Sequence, residues 1–220
     1  DSIELGTKMI LLGGAAELNI AAFYTEIQDL QVTAFQDNRF VVGNAAESTR
    51  KGVEFDGRLI FSENFNVVAS LAYLDPTFDD YPGAPCTFKQ VTAPDPAAAG
   101  CDPTTNSTNL AGEVAGRAPE WSGSLVTNFS YPITPDLGLN ASVDLLYEDE
   151  INPRTNLKFQ GAYTKVNALV SLASLTNGWD IALVGRNLPD ELTFATGAGV
   201  PLFTGSWLQA RQAPRTLAIE

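Results

Sequence analysis

In residues 65–75, FNVVASLAYLD, every second position is apolar: Phe65, Val67, Ala69, Leu71 and Tyr73. That is the period of a β-strand with one greasy face. The alternation returns in nine runs, at 2–11, 16–36, 48–62, 65–77, 119–132, 137–150, 161–175, 178–188 and 211–220, with no convincing amphipathic helix between them. A chain patterned this way folds as antiparallel sheet. What remains to decide is whether the greasy face meets packed protein or lipid.

The connections bear on that choice. Those at 12–16, 62–64, 133–136 and 176–178 are short, and those at 37–47, 78–118, 151–160 and 189–210 are long. Short turns therefore gather at one end of the sheet and long loops at the other, as in barrels that span a membrane. The faces agree. Val53, Phe55, Gly57, Leu59 and Phe61 alternate with Glu54, Asp56, Arg58 and Ile60. Leu137, Leu139, Ala141, Val143, Leu145 and Tyr147 alternate with Asn140, Ser142 and Asp144. Val166, Ala168, Val170 and Leu172 oppose Lys165, Asn167 and Ser171, and Trp179, Ile181 and Leu183 oppose Asp180 and Arg186.

Aromatic residues collect at the ends of the apolar faces. Phe61, Phe65, Phe129, Tyr131 and Trp179 border the short turns, and Tyr73, Trp121 and Tyr147 stand at the opposite ends. Phe65 to Tyr73 is eight residues, or about 26 Å at roughly 3.3 Å per residue. A tilt of roughly 40° lowers that to about 20 Å, near the ~25 Å apolar band between the aromatic girdles of a membrane barrel. A soluble sandwich or lipocalin-like barrel also alternates. Its aromatics would be scattered through a core, and its second face would carry more Lys and Glu than the Asn, Ser, Ala and Gly found here.

Composition narrows the chemistry. Only 18% of residues are charged, against about 25% in soluble domains. No apolar run approaches the length of a membrane-spanning helix, which needs about 20 residues. The net charge of −13 argues against a nucleic-acid partner. The chain has no histidine, which removes Ser-His-Asp and Cys-His catalysis and most catalytic zinc sites. Cys86 and Cys101 sit close together in a Pro/Gly-rich segment and would pair in an oxidising compartment. The chain starts at Asp1 without a signal peptide and stops within an alternating run, so it reads as a piece of a longer precursor.

The candidate functional residues fall in two places. The loop 75–119 is long enough to bind something, and Tyr81, Phe88 and Lys89 are its candidate ligand-facing groups. Glu54, Asp56, Arg58, Lys165, Asp180 and Arg186 fall on the polar face, where they would line a lumen. Asp79–Asp80 and Glu148–Asp149–Glu150 offer hard oxygen ligands, but without EF-hand spacing they read as solvated strand-end charges. Neither a metal site nor a cofactor is expected.

Several stretches resemble the β-barrel domain of TonB-dependent outer-membrane receptors. They are SIELGTK (2–8), LNIAAFYTEIQDLQV (18–32), VVGNAAESTRKGVEFDGRL (41–59) with NVVASLAYLD (66–75), and WDIALVGRNLPDE (179–191) with APRTLAIE (213–220). Their order matches the family, in which "KGVE" follows "FY…I.DLQ", and "G.NL.D" precedes "PRT". The resemblance implies an all-β fold, an antiparallel up-and-down transmembrane barrel of ~22 strands with a plugged lumen, of which this chain is about the last nine. It places residues 1–220 in the C-terminal part of one barrel domain, with the plug and the first barrel half outside the chain. It implies a bacterial outer-membrane location, with Phe65, Tyr73, Trp121, Phe129, Tyr147 and Trp179 in the membrane girdles. It also implies short turns in the periplasm and long loops outside. The expected function is TonB-dependent import of a scarce solute, a ferric siderophore or similar chelate, with no enzymatic step. The expected partners are the TonB complex through the plug, outer-membrane lipids and a small-molecule or metal-chelate ligand. The alternatives are a passive porin or structural barrel, and a soluble all-β binding module.

Overall fold

The structure is a computed structural model, and it describes residues 1–36, 39–116, 118–151, 160–200 and 206–220. Its main body is one nine-stranded antiparallel sheet. In order across the sheet, the strands are β1 (Ser2–Leu11), β2 (Ala16–Gln36), β3 (Arg39–Ser62), β4 (Phe65–Asp80), β7 (Trp121–Thr134), β8 (Leu137–Glu148), β9 (Tyr163–Ser174), β10 (Asp180–Arg186) and β13 (Thr216–Ile219). Sequence neighbours are sheet neighbours throughout, which is up-and-down topology. Two small hairpins lie off the sheet, β5 (Ala84–Pro85) with β6 (Ser107–Thr108), and β11 (Phe194–Gly199) with β12 (Trp207–Arg211). One helical turn, α1 (Phe88–Val91), lies between β5 and β6.

The turns at one end are tight. Leu12–Gly14 is a 3-10 turn in which Gly13 and Gly14 hold left-handed backbone at φ 65° and 98°, a conformation glycine adopts without strain. The others are 63–64, 135–136 and 175–179. All long connections leave from the opposite, upper end.

Register puts each face together. Across the sheet, Ile20 pairs Phe55, Phe55 pairs Leu71, Leu71 pairs Gly123, Leu125 pairs Leu145, Leu145 pairs Val166, and Val170 pairs Leu183. These build one continuous apolar face. The other face carries Glu54 opposite Ala72, Asn66 opposite Asn128, Ser70 opposite Ser124, and Asp144 opposite Asn167. Among the described residues, the sheet strands contact their lateral neighbours and the turns and small hairpin at their ends, and only at the upper end does the loop between β4 and β7 pack on one face, so the rest of the sheet is a single layer. Leu71 is 45% exposed and Ile181 59%. The buried apolar residues are few and mostly small. A domain in water must cover its greasy face with another layer, and no described element does so here. An uncovered apolar face of this kind is what the outer wall of a membrane barrel presents to lipid. Thr127, a polar residue upon it, donates its hydroxyl to the Val143 carbonyl at 3.3 Å.

Strand limits differ from the sequence reading at the upper end. The connection expected at 37–47 is mostly strand: β2 runs to Gln36 and β3 resumes at Arg39. Within this part of β3, Ala46 is buried against Tyr81 and Ala84 of the loop that follows β4. The run 211–220 also splits, Arg211 ending the β11–β12 hairpin and Thr216 opening the last sheet strand. Most of the expected connection 151–160 lies outside the described residues, although Ile151 and Gln160 bridge at its ends.

Gly52 shows how local sequence serves this sheet. A Cβ there would lie 2.3 Å from the Tyr73 carbonyl oxygen and 2.6 Å from the Phe23 ring, which lies over the glycine from the adjacent strand. Gly52→Val is expected to abolish refolding to the compact barrel form, while Gly43→Ala, which meets nothing within 4 Å, refolds normally. Electrophoresis of unheated against heated samples reads both outcomes.

Candidate functional site

The polar face is tied laterally by side chains. Ser70 and Ser124 share a hydrogen bond of 2.8 Å, Asn128 Nδ2 donates to Asn66 Oδ1 at 3.2 Å, and Asn167 Nδ2 donates to Asp144 Oδ2 at 3.0 Å. Ser130 Oγ donates to Asn140 Oδ1 at 2.8 Å. Between these ties, two shallow hollows flank Glu54 and Asp56, one toward Lys8 and Asn19, the other toward Ser122 and Glu148. Arg58 shares the face, opposite Glu17 and Val68. Asp180 stands near the short turns and Arg186 near the upper end, opposite Ala173 and Thr216 respectively. Lys165 is engaged locally: its ammonium donates to Gln212 Oε1 and stands 5.3 Å from the centre of the Tyr163 ring.

The girdle residues form two belts on the apolar face. Near the short turns, Phe61 and Phe65 stack at 5.4 Å, Phe129 and Tyr131 at 6.3 Å, and Trp179 follows the 175–179 turn. Near the upper end Tyr73 and Trp121 meet at 4.9 Å, with Tyr147 opposite Gly123 beside them. Aromatic rings at such interfaces place their apolar bodies in lipid and polar edges in the headgroups.

Above the upper belt, the segment between β4 and β7 is a folded unit. It returns along β4 through Gly112 N to Phe78 O, Phe78 N to Glu113 O, and Ala115 N to Pro76 O, at 2.8–2.9 Å. Ala46, Tyr81 and Ala84 form its small core, with Leu30, Val32, Phe78 and Leu110 packed around them. Ala46 and Phe78 continue the polar face of β3 and β4, so the unit leans over that side. Tyr81 is therefore misassigned as a ligand-facing group. It is 8% exposed and packs 5.1 Å from Phe78, and burial raises its phenol pKa above the ordinary value. Phe88 and Lys89 do lie at the surface, on α1. That helical turn is held by a capping box, Thr87 Oγ1 accepting from Gln90 N at 3.2 Å and Gln90 Oε1 accepting from Thr87 N at 2.8 Å. A disulfide joins Cys86 to Cys101, closing the segment that contains α1. No group of three or more metal-ligating side chains exists among the described residues, the acidic runs included.

The phrase NLPDE proves to be a clasp. Asn187 is 4% exposed with φ 50°. Its backbone N–H donates to Asn167 Oδ1 at 2.8 Å, its Oδ1 accepts from Glu191 N at 2.9 Å, and its Nδ2 donates to the carbonyls of Glu191 and Ala213 at 3.0 and 3.4 Å. Asp190 Oδ1 accepts from Arg215 N at 2.9 Å, and Arg215 Nη1 donates to Leu188 O at 3.3 Å. Together these bonds deliver the chain from β10 to β13. Nothing in the local pattern of NLPDE assigns Asn187 this role. An Asn after a strand, before Leu-Pro-Asp, was the available signal.

A family model described as TonB dependent receptor-like, beta-barrel, matches residues 1–188. The chain belongs to the TonB-dependent receptor β-barrel family. Solved structures of similar fold include the siderophore receptor PiuA from Acinetobacter baumannii, with 21% identity and a TM-score of 0.69. They also include the ferric yersiniabactin uptake receptor FyuA from Yersinia pestis, with 17% identity and a TM-score of 0.70. A third is the ferric-catecholate import receptor Fiu from K12 E. coli, with 16% identity and a TM-score of 0.61. Each covers 99% of this chain, and the chain spans 27%, 28% and 26% of them respectively. No curated protein matches the chain. Family members are outer-membrane β-barrels, consistent with the lipid-facing surface described above.

Two outcomes follow from the site geometry. Asn187→Ala removes three side-chain hydrogen bonds to the backbone of Glu191 and Ala213, each worth about 0.5–1.5 kcal/mol, so urea unfolding should shift to lower denaturant, with Asn187→Gly no better despite its freer φ. Asp102, an exposed turn residue, accepts from the hydroxyl and N–H of Thr104 at 2.6 and 2.8 Å, which lowers its carboxyl pKa. A carboxyl lowered on folding contributes stability above its unfolded value, about 3.9, and that contribution is lost as pH falls through the folded value. NMR titration of the Asp102 side-chain carbon should give a midpoint below that of a free aspartate.

Proposed function

We propose that this chain is the C-terminal part of the barrel of an outer-membrane receptor that actively imports a ferric siderophore or similar chelate. The match of residues 1–188 to the TonB-dependent receptor barrel model carries the reading. The single-layer sheet with its lipid-facing wall supports it, and so do neighbours named as receptors for siderophores and ferric chelates. On this reading the short turns face the periplasm and the long connections face outward. The outer loops capture the solute, with Phe88 and Lys89 on the exposed face of the disulfide-closed unit as proposed contacts. Glu54, Asp56, Arg58, Asp180 and Arg186 line the lumen and meet the plug or the water around it. Energy arrives from TonB through the plug, which lies outside this chain. The solute is moved with no covalent bond made or broken, so the work is binding and gating rather than catalysis.

The test is uptake. Deleting the parent gene and supplying single ferric chelates as the sole iron source should abolish growth on one chelate. The intact gene should restore growth only in a strain with functional TonB. Unchanged growth on every chelate would remove iron chelates as the cargo, and restoration without TonB would favour a passive pore.

A further inference from the structure

The turn between β9 and β10 carries Thr176-Asn177-Gly178, and Asn177 is the only asparagine in the chain that a glycine follows. Both residues are exposed. Gly178 holds left-handed backbone at φ 68°, and a Cβ built upon it would meet nothing within 4 Å. Asparagine followed by glycine suits a tight turn between strands, and here it leaves open space around the glycine. The Gly178 N–H has no acceptor among the described residues. Its neighbours are engaged. The Asn177 N–H donates to Ser174 Oγ at 2.9 Å, and the Trp179 carbonyl accepts from Ser174 N at 2.8 Å. The Asn177 carboxamide is held only through Nδ2, which donates to the adjacent Thr176 hydroxyl at 3.2 Å.

Other asparagines are placed differently. Asn128 and Asn167 donate across the ladder to Asn66 and Asp144, and a side chain follows each of them in Phe129 and Ala168. Asn187 has its Nδ2 on the carbonyls of Glu191 and Ala213. A side chain on the following residue obstructs the approach of that residue's backbone nitrogen to the preceding carboxamide. Glycine offers no such obstruction.

We propose that Asn177 and Gly178 form a site of spontaneous covalent modification, at which the turn exchanges a neutral amide for a carboxylate. The Gly178 backbone nitrogen gives its proton to water and bonds to Asn177 Cγ. The Cγ–Nδ2 bond breaks, and Nδ2 takes a proton from water and leaves as ammonia. A five-membered succinimide has then closed. Water adds to one of its two carbonyl carbons. Addition at Cγ restores the ordinary backbone and leaves an aspartate side chain. Addition at the main-chain carbonyl routes the backbone through the side chain and leaves isoaspartate. Nothing is oxidised or reduced, and water is the only co-reactant. Either product adds a negative charge to the turn. Isoaspartate also lengthens by a methylene a turn in which Ser174 Oγ receives the N–H groups of both Thr176 and Asn177, at 3.3 and 2.9 Å. Ammonia is lost to solvent, so the change runs one way and the modified fraction records the age of the protein. The inference does not depend on what the barrel transports.

The experiment uses the full-length receptor in detergent, as wild type, Asn177→Gln and Gly178→Ala. A synthetic peptide of residues 174–180 serves as the unconstrained reference. All are held in mildly alkaline buffer and sampled over weeks. Trypsin releases residues 166–186, bounded by Lys165 and Arg186, and this peptide carries Asn167 as an internal control. Fragment masses should locate a single deamidation at position 177 and none at 167. Protein isoaspartate methyltransferase should label the same peptide. Both signals should vanish in Asn177→Gln, whose longer side chain would have to close a six-membered ring, and fall in Gly178→Ala. Should Gly178→Ala fail to fold, Asn177→Gln keeps the turn glycine and carries the comparison. An intact Asn177 after the reference peptide has been converted, or deamidation that reaches Asn167 first, overturns the proposal.

Discussion

Every backbone N–H and C=O that enters hydrocarbon needs a partner within the protein, because no water is there to supply one. In this chain the neighbouring strand supplies it, rung by rung, from β1 to β13. That requirement explains why a sheet one layer thick persists without a conventional core. It also explains why the alternation is so regular: with one face in lipid, a register slip of one residue would turn Leu71 inward and Ser70 into hydrocarbon. The side-chain ties between Ser70 and Ser124, or Asn66 and Asn128, then fix neighbouring strands on the wet face, where apolar packing cannot.

The body of the sheet was legible because one apolar face alternating with one polar face imposes a strict period of two. The four tight turns, and the place of Glu54, Asp56 and Arg58 on the face opposite Phe55, follow from that period. Legibility fades at the upper end. Residues 39–47 were expected within a connection, yet they are strand in β3, and Ala46 packs there against the folded loop. Tyr81 looked like a surface aromatic in a Pro- and Ala-rich loop, and it anchors that loop against Ala46 and Phe78. Such contacts join residues far apart in sequence, and no local pattern reports them. The β11–β12 hairpin was hidden within a long connection for the same reason.

Asn187 was missed because it is a single buried amide serving several stretches of backbone, and its importance depends on where Asn167, Glu191 and Ala213 lie in space.

The strands differ greatly in length: β2 and β3 have 21 and 24 residues, and β10 has seven. Pairing between β2 and β3 therefore continues to the Gln36–Arg39 rung, whereas β10 and β13 share only the four rungs from Leu183–Ile219 to Arg186–Thr216. The sheet's upper edge is ragged, and the disulfide-closed unit packs where the ladder is longest, against Ala46, Leu30 and Val32.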